Sequence, residues 1–305
     1  MAKINKAATT GMAVDLSELL HWYTNDIVCH AVSDKFFREE GRNQIFRELI
    51  EANSLLLGGF NFEDYFPSLA RLTIVRRLCP KAHNVHKRWD QLLDKLINDH
   101  DNKQFVSVLD QDDEESDFID VLLSIQHEYG LTLHNIKAIL VIMFEGGTDT
   151  SYIELEYAMA ELMQNPQQIT KLQVEIPRGQ EVVTEEQLHR LPYLKAVRKE
   201  TLRLHLAGPL LVPHLSIADC DVEGYTIPSG TRVFIKAWAL SRDPSFWKNP
   251  RKFMPERFIN KTALDYKGND FHFLPFRSGR RICPAMNFAI ATIEIMLANL
   301  VHHFD

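Results

Sequence analysis

A chain of 305 residues that is 45% apolar and 25% charged can bury a sizeable core, in one large domain or two ordinary ones, and is not disordered by composition. Its net charge of -7 argues against general nucleic-acid binding, although local basic patches survive. The four cysteines, Cys29, Cys79, Cys220 and Cys283, lie far apart with no C-x-x-C pair. That is neither a zinc ribbon nor a secreted disulfide scaffold, and it suits a reducing compartment.

Along the chain, Asp15-Leu-Ser-Glu18 reads as a capping box. It leads into an amphipathic helix with Leu16, Leu19, Leu20, Tyr23, Ile27 and Ala31 on one side. A second helix is expected over residues 43–57, stopping at Gly58-Gly59. Residues 60–69 form an aromatic loop, and 81–99 a charged helix with Trp89, Leu92, Leu93 and Leu96 apolar. The acidic run at 110–117 is a solvated connection. From 132 to 164 the pattern is helical for longer than an average helix, so this element must run through a core. Two short helices follow, the second opened by the capping box Thr184-Glu-Glu-Gln187, and Pro192 starts a helix reaching His205. Residues 211–217, 225–227 and 231–235 are short β-like runs punctuated by Gly224 and Pro228-Ser229-Gly230. Residues 238–270 are mostly loop, and 284–303 form a buried helix that Pro284 opens. The longest clean apolar run, 138–144, is too short to cross a bilayer, and the N-terminus has no signal-peptide core. As written, the chain reads as soluble, mainly α with a small β-sheet, in a single domain.

Three stretches carry chemistry. In Phe276-Arg-Ser-Gly-Arg-Arg-Ile-Cys283, a turn at Gly279 and three arginines crowd one cysteine, and positive charge favours an anionic sulfur. Such a thiolate, next to a helix start, is a good soft metal ligand, whereas a lone cysteine of this kind is more commonly structural. The pair Gly146-Gly147 costs a helix about 1 kcal/mol per glycine relative to alanine, so something needs the room. Close helix packing is the plain explanation. A flat ligand against the helix, with Asp149 and Thr150 as an acid–hydroxyl relay, is the sharper one. Glu200 and Arg203 share a helical face, and with Arg257 of Pro255-Glu-Arg-Phe258 they would form a charge-assisted network able to pin the loop of Cys283.

Four motifs in this order resemble the cytochrome P450 superfamily over nearly the whole chain. They are Gly146 to Ser151, the E-x-x-R pair Glu200 and Arg203, the P-E-R-F segment, and the F-x-x-G-x-R-x-C loop from Phe276 to Cys283. Finer wording is similar to the plant microsomal 71-type clan: Lys199-Glu-Thr-Leu-Arg-Leu-His205, Pro213-His214 and Ala237-Trp-Ala-Leu-Ser-Arg-Asp-Pro244. Tyr23-Thr-Asn-Asp-Ile-Val-Cys29, Gly58-Gly-Phe-Asn61 and Asp64-Tyr-Phe-Pro67 look grass-like, near the benzoxazinoid hydroxylases.

The resemblance implies a haem-thiolate monooxygenase that inserts one atom of O₂ into a small apolar substrate with NADPH-derived electrons. Cys283 would be the axial thiolate on iron, with Phe276, Gly279 and Gly147 also against the cofactor. Arg281 and His214 would face haem propionates, Asp149 and Thr150 would serve distal proton delivery, and Glu200, Arg203 and Arg257 would form the structural triad. Arg277, Arg280, Lys248, Arg251 and Lys252 would offer a basic face to NADPH–cytochrome P450 reductase, with scattered solvated charge as the alternative reading of each. The family location is the cytosolic face of the endoplasmic reticulum membrane.

The pattern departs from the family at Arg277 and Ala285, where glycine is usual, and at Leu206, where proline is usual. The connection 171–180 looks short. The resemblance also implies a partial domain over residues 1–305, lacking the membrane anchor, the early helices and the C-terminal sheet, with a weakly held haem. The competing reading is a non-catalytic fragment that keeps the core fold and a reductase-docking face. A zinc hydrolase finds no ligand set; His83 and His86 lack acidic or sulfur partners.

Overall fold

A computed structural model describes residues 2–38, 41–59, 65–66, 80–104, 116–177, 182–259 and 264–304. The aromatic loop at 60–69 and the acidic run at 110–117 fall almost wholly outside the described residues, as do Cys79 and the end of the connection at 171–180. The chain groups into two compact units, residues 21–149 and residues 150–305 together with 1–20.

Helix α1 spans Ala2–Thr10, α2 Leu16–Phe37, α3 Arg42–Gly58, α4 Pro80–Gln104, α5 Phe118–Ser124 and α6 Leu133–Gln164. Asp15 caps α2 as its spacing predicts, accepting the Glu18 N–H at 3.0 Å. The buried stripe of α2 is turned from the one expected. Leu20, Thr24, Val28, Val32 and Phe36 are buried at i, i+4 spacing, while Tyr23, Ile27 and Ala31 are only half-buried. The helix breaks at Ser33 (φ -163, ψ 94), whose hydroxyl meets His100 Nε2 at 3.1 Å.

Within the unit of residues 21–149, Phe37, Phe46, Trp89 and Phe144 form an aromatic core. Phe46 lies 4.4 Å from Phe144, 4.7 Å from Phe37 and 5.5 Å from Trp89, centroid to centroid. The long helix α6 starts with a reciprocal cap that replaces the usual Glu or Gln with asparagine. Thr132 N–H donates to Asn135 Oδ1 at 2.9 Å, and Asn135 N–H donates to Thr132 Oγ1 at 3.2 Å.

In the other unit, α7 is Pro166–Glu175, α8 Glu185–Leu188, α9 Pro192–Leu204, α10 Ala237–Leu240, α11 Glu256–Ile259 and α12 Met286–His303. Helix α9 is buried along most of its length and packs against α7, α11 and α12. The capping box at Thr184 and Gln187 is present. Pro284 does not open α12: Ala285 is its N-cap and the helix begins at Met286. The small sheet is two separate antiparallel ribbons, β1 (His214–Leu215) with β4 (Arg232–Val233) and β2 (Cys220–Val222) with β3 (Tyr225–Ile227). Strand β2 lies outside the expected β-like runs: Cys220-Asp-Val222 alternates apolar and polar residues over only a short stretch, and all three are exposed. What makes it a strand is its turn: Glu223 (φ 50) and Gly224 (φ 82) both sit in the left-handed region that a two-residue hairpin needs. The run at 211–217 shrinks to two residues because Leu211 (φ 52) and Pro213 break it.

Candidate functional site

Cys283 is half-buried and free, at the end of a loop closed by its own backbone N–H, which donates to the Phe276 carbonyl at 2.9 Å. Inside this closure, residues Gly279–Arg281 make a 3₁₀ turn, and Gly279 has φ 69. Of the two positions where glycine is usual in the family, Ala285 is unstrained at φ -92. Arg277 carries the strain instead, at φ 71, where a residue with a Cβ pays about 1–2 kcal/mol. Arg281 and Arg280 are exposed, and so are Lys248, Arg251 and Lys252. His214, on β1, is half-buried and lies 3.3 Å from Arg277 Nη2 through its Nε2.

Behind this loop, Glu200 sits between two arginines. Arg203 binds it through Nε and Nη2, both at 2.8 Å, and Arg257 Nε reaches it at 2.9 Å. Glu200 and Arg203 are fully buried. The remaining Arg203 donors go to the carbonyls of Ser241 (2.7 Å), Pro250 (2.8 Å) and Lys252 (3.3 Å). Arg257 adds Lys248 O at 2.9 Å, and the Met254 N–H returns to Glu200 at 2.8 Å. Sequence-distant loop carbonyls are thereby tied to helix α9, as expected of buried charges that must be fully bonded. The network reaches the cysteine loop through aromatics rather than directly. Both guanidinium groups lie over buried Trp247, which packs with Phe258 and Phe273, and Phe276 lies against the same cluster.

In the unit of residues 21–149, the two helix glycines divide the roles that were ascribed to both. A Cβ on Gly147 would lie 2.8 Å from Val28 Cγ2, so close helix packing accounts for that glycine, and Gly147 does not present an open face to a ligand. Gly146 is the exposed one, with open space where its Cβ would be. Asp149 accepts the Ser54 hydroxyl at 2.8 Å and lies 3.3 Å from His21 Nε2. Burial pushes the Asp149 carboxyl up, but its hydrogen bonds to His21 and Ser54 outweigh this and hold it below the usual range. Thr150 is exposed on the same helix.

Sequence reasoning passed over Glu145, one turn before Asp149. Burial raises its carboxyl to about 7, against a hydrogen bond to Asn53 and with the Asp149 charge adding to the rise. Two carboxyls one turn apart are thus pushed in opposite directions, one raised and one lowered. It also passed over Glu154, 1% exposed with neither carboxyl oxygen bonded, whose pKa burial drives well above the carboxylate range against the pull of Arg198. The signal available for both was a charged residue on the buried face of a core helix. His100, Asp117 and Asp120 bring possible ligand atoms within 4.8 Å of one another. Two of them also make structural bonds: His100 bonds Ser33 and the Leu96 carbonyl, and Asp120 caps the Asp117 N–H.

The family model for Cytochrome P450 matches residues 1–305. The chain belongs to the cytochrome P450 family. It is 53% identical over 311 residues to indole-2-monooxygenase of Zea mays, covering 99% of this chain and 57% of that protein. It is 51% identical to indolin-2-one monooxygenase of the same plant, covering 100% of this chain and 59% of that protein. The chain therefore spans 57–59% of the length of these relatives. A solved zebra fish cytochrome P450 with progesterone superposes with a TM-score of 0.77 at 23% identity, over 97% of this chain and 65% of that one, which shows a shared P450 fold. The P450 cofactor is haem held through a cysteine thiolate. The donor set of the Cys283 loop fits that group, with a free, half-buried soft ligand beside a helix start. Among the described residues no helix is long and apolar enough to cross a membrane.

Proposed function

We propose that this chain belongs to a single P450 domain in which Cys283 would hold haem through its thiolate, in a haem-dependent monooxygenase. The observation that carries the reading is the closed loop of Cys283, held through the Trp247 aromatic cluster by the fully bonded Glu200–Arg203–Arg257 network. Bound there, haem would supply activation of O₂ with two electrons from NADPH, one oxygen atom entering the substrate and the other leaving as water.

The chain's own residues set the conditions for that chemistry. Phe276 and Gly279 shape the loop around the sulfur, and His214 stands on β1 with a nitrogen free for an anionic group. Asp149, kept ionised by His21 and Ser54, accepts and passes on a proton, and Thr150 offers the next hydroxyl on the helix. Glu145, protonated up to about pH 7, is the adjacent proton store. The two maize relatives, named for monooxygenation of indole and of indolin-2-one, support a small, largely apolar substrate of plant specialised metabolism. The exposed Lys248, Arg251, Lys252 and Arg280 suit an acidic flavoprotein, NADPH–cytochrome P450 reductase, on the cytosolic face of the endoplasmic reticulum membrane.

The test is a reduced, carbon-monoxide difference spectrum of the expressed chain with added haem. A thiolate-type Soret band in the parent, lost in Cys283→Ser, is the expected result. No such band, or one that survives the substitution, rejects the assignment.

A further inference from the structure

We propose that His100, Asp117 and Asp120 form a site for a divalent cation of the zinc class, which ties the start of α5 to the end of α4. The site goes beyond the haem reading and does not rest on it, since none of the three residues belongs to the cysteine loop.

The ligand atoms are brought together from two helices. Each residue offers one atom, and the three atoms lie within 4.8 Å of one another. His100 stands near the C-terminus of α4, Asp117 is the N-cap of α5, and Asp120 lies in the first turn of α5. An imidazole nitrogen with carboxylate oxygens is a donor set that zinc and its neighbours accept, whereas calcium and magnesium prefer oxygen alone. Two carboxylates beside a neutral imidazole carry the charge that a dication balances.

Hydrogen-bond directions show what the cluster lacks. His100 is 5% exposed, and its Nδ1 lies 3.0 Å from the Leu96 carbonyl. A carbonyl only accepts, so the ring donates there, and the neutral imidazole keeps its lone pair on Nε2. Histidines that bind metals are commonly oriented in this way. Nε2 faces Asp117 Oδ2 at 3.8 Å, beyond hydrogen-bond reach, so two acceptors oppose each other. Only a positive species suits the space between them, a proton on Nε2 or a metal ion. A proton there serves Asp117 alone. A metal ion engages Asp120 as well, and among the described residues neither carboxylate is paired with a lysine or an arginine.

The spacing supports the ion. Zinc bonds of roughly 2.1 Å put the corners of a tetrahedron about 3.3 Å apart. Ser33 Oγ, placed where α2 breaks, is 3.1 Å from Nε2 and offers a fourth, neutral oxygen. One Asp120 oxygen caps the Asp117 N–H at 3.1 Å, which fixes the carboxylate and leaves its other oxygen for the ion. Asp117 is partly exposed, so its side chain has room to rotate inward.

The experiment strips the full chain with a chelator, removes the chelator by dialysis, and titrates with cobalt(II) as a visible probe for zinc. The parent should bind one ion per chain here, with d–d bands characteristic of nitrogen and oxygen ligands, and should melt at a higher temperature when loaded. Cys283→Ser should give the same result as the parent. Asp117→Asn and Asp120→Asn should each weaken binding by at least about tenfold and lose the rise in melting temperature. His100→Gln should abolish both, and if that buried substitution fails to fold, the two partly exposed carboxylates still carry the test. A parent that binds no cobalt, or binding that survives in folded Asp117→Asn and Asp120→Asn, overturns the site. So does cobalt held only through sulfur, seen as a charge-transfer band that Cys283→Ser or Cys220→Ser removes. The haem reading survives each of these results, because its own Soret band decides it.

Discussion

Val28 and Gly147 meet so closely that no Cβ fits between them: the ideal Cβ of Gly147 would stand 2.8 Å from Val28 Cγ2. Gly147→Ala is therefore expected to destabilise the fold by ~1–3 kcal/mol, even though alanine is the better helix former. Val28→Ala in the same chain should recover most of the loss, because the obstruction is one methyl. Gly146→Ala, with open space at the same atom, should leave stability unchanged or raise it by about 1 kcal/mol. Urea denaturation of the four chains checks this, and equal stability of parent and Gly147→Ala contradicts it.

Removing Glu200 strands two guanidinium groups, one of them fully buried. Glu200→Ala should cost ~3–5 kcal/mol and free the 248–254 loop, seen as new protease cleavage there. Arg257→Ala leaves the two-point contact from Arg203 intact and should cost clearly less. If the two substitutions prove equal, the network does not divide as its hydrogen bonds do.

Helices signalled by a cap and a period were legible: Thr184 and Gln187, Pro192 and Asp15 each stand where their chemistry places them. The face of α2 was misread by a fraction of a turn, since its apolar residues exceed what one side can bury. The ribbon of β2 and β3 depends on the left-handed turn at Glu223 and Gly224, which composition barely marks. At the site, Glu200 with its arginines and the loop of Cys283 could be located from motif spacing alone. Close packing at Gly147 was expected, but its partner Val28 could not be located because it lies on a helix distant in sequence, and the buried Glu154 carried only the general signal of a charged residue on a core helix.

Glu154 and Glu294 both feel the charge of Arg198 and give opposite expectations. Glu294 bonds Arg198 Nε at 2.8 Å, both side chains being nearly inaccessible, whereas Glu154 has no bond to either oxygen. Glu294→Leu strands the cation and should cost ~3–5 kcal/mol. Glu154→Leu removes an unsatisfied buried acid and should stabilise by ~1–3 kcal/mol. Because burial raises the Glu154 pKa, the ionisation-linked part of its penalty is absent below the unfolded carboxyl pKa and grows as pH rises, so the gain from leucine should be larger at pH 7 than at pH 4. Melting temperatures at the two pH values decide it, and a leucine variant less stable than the parent at pH 7 rejects it.

Glu145 and Asp149 should make their opposed shifts visible as a pH-dependent stability. Glu145 keeps its proton in the fold to about pH 7 and loses it near the ordinary carboxyl value of 4.5 when unfolded. Below that ordinary value both states are protonated, and the group contributes nothing to the pH dependence. As pH rises from there to about 7 the unfolded chain binds fewer protons than the folded one, so stability falls. Glu145→Gln removes this loss. Its advantage over the parent should grow through that window, level off above it, and stay near ~1 kcal/mol because the carboxyl is only half-buried. Asp149 has the opposite sign. Its lowered pKa contributes stability above the ordinary carboxylate value, and that contribution is lost as pH falls through the folded-state pKa. Asp149→Asn should therefore weaken the fold at neutral pH and converge on the parent in acid. It should also let Glu145 ionise at lower pH, since the Asp149 charge is one cause of that rise. Denaturation midpoints between pH 3 and pH 9 for the parent, the two single variants and the double variant follow both groups. A Glu145→Gln advantage that is independent of pH would show that Glu145 ionises as an ordinary carboxyl, and would remove it as a proton store for Asp149.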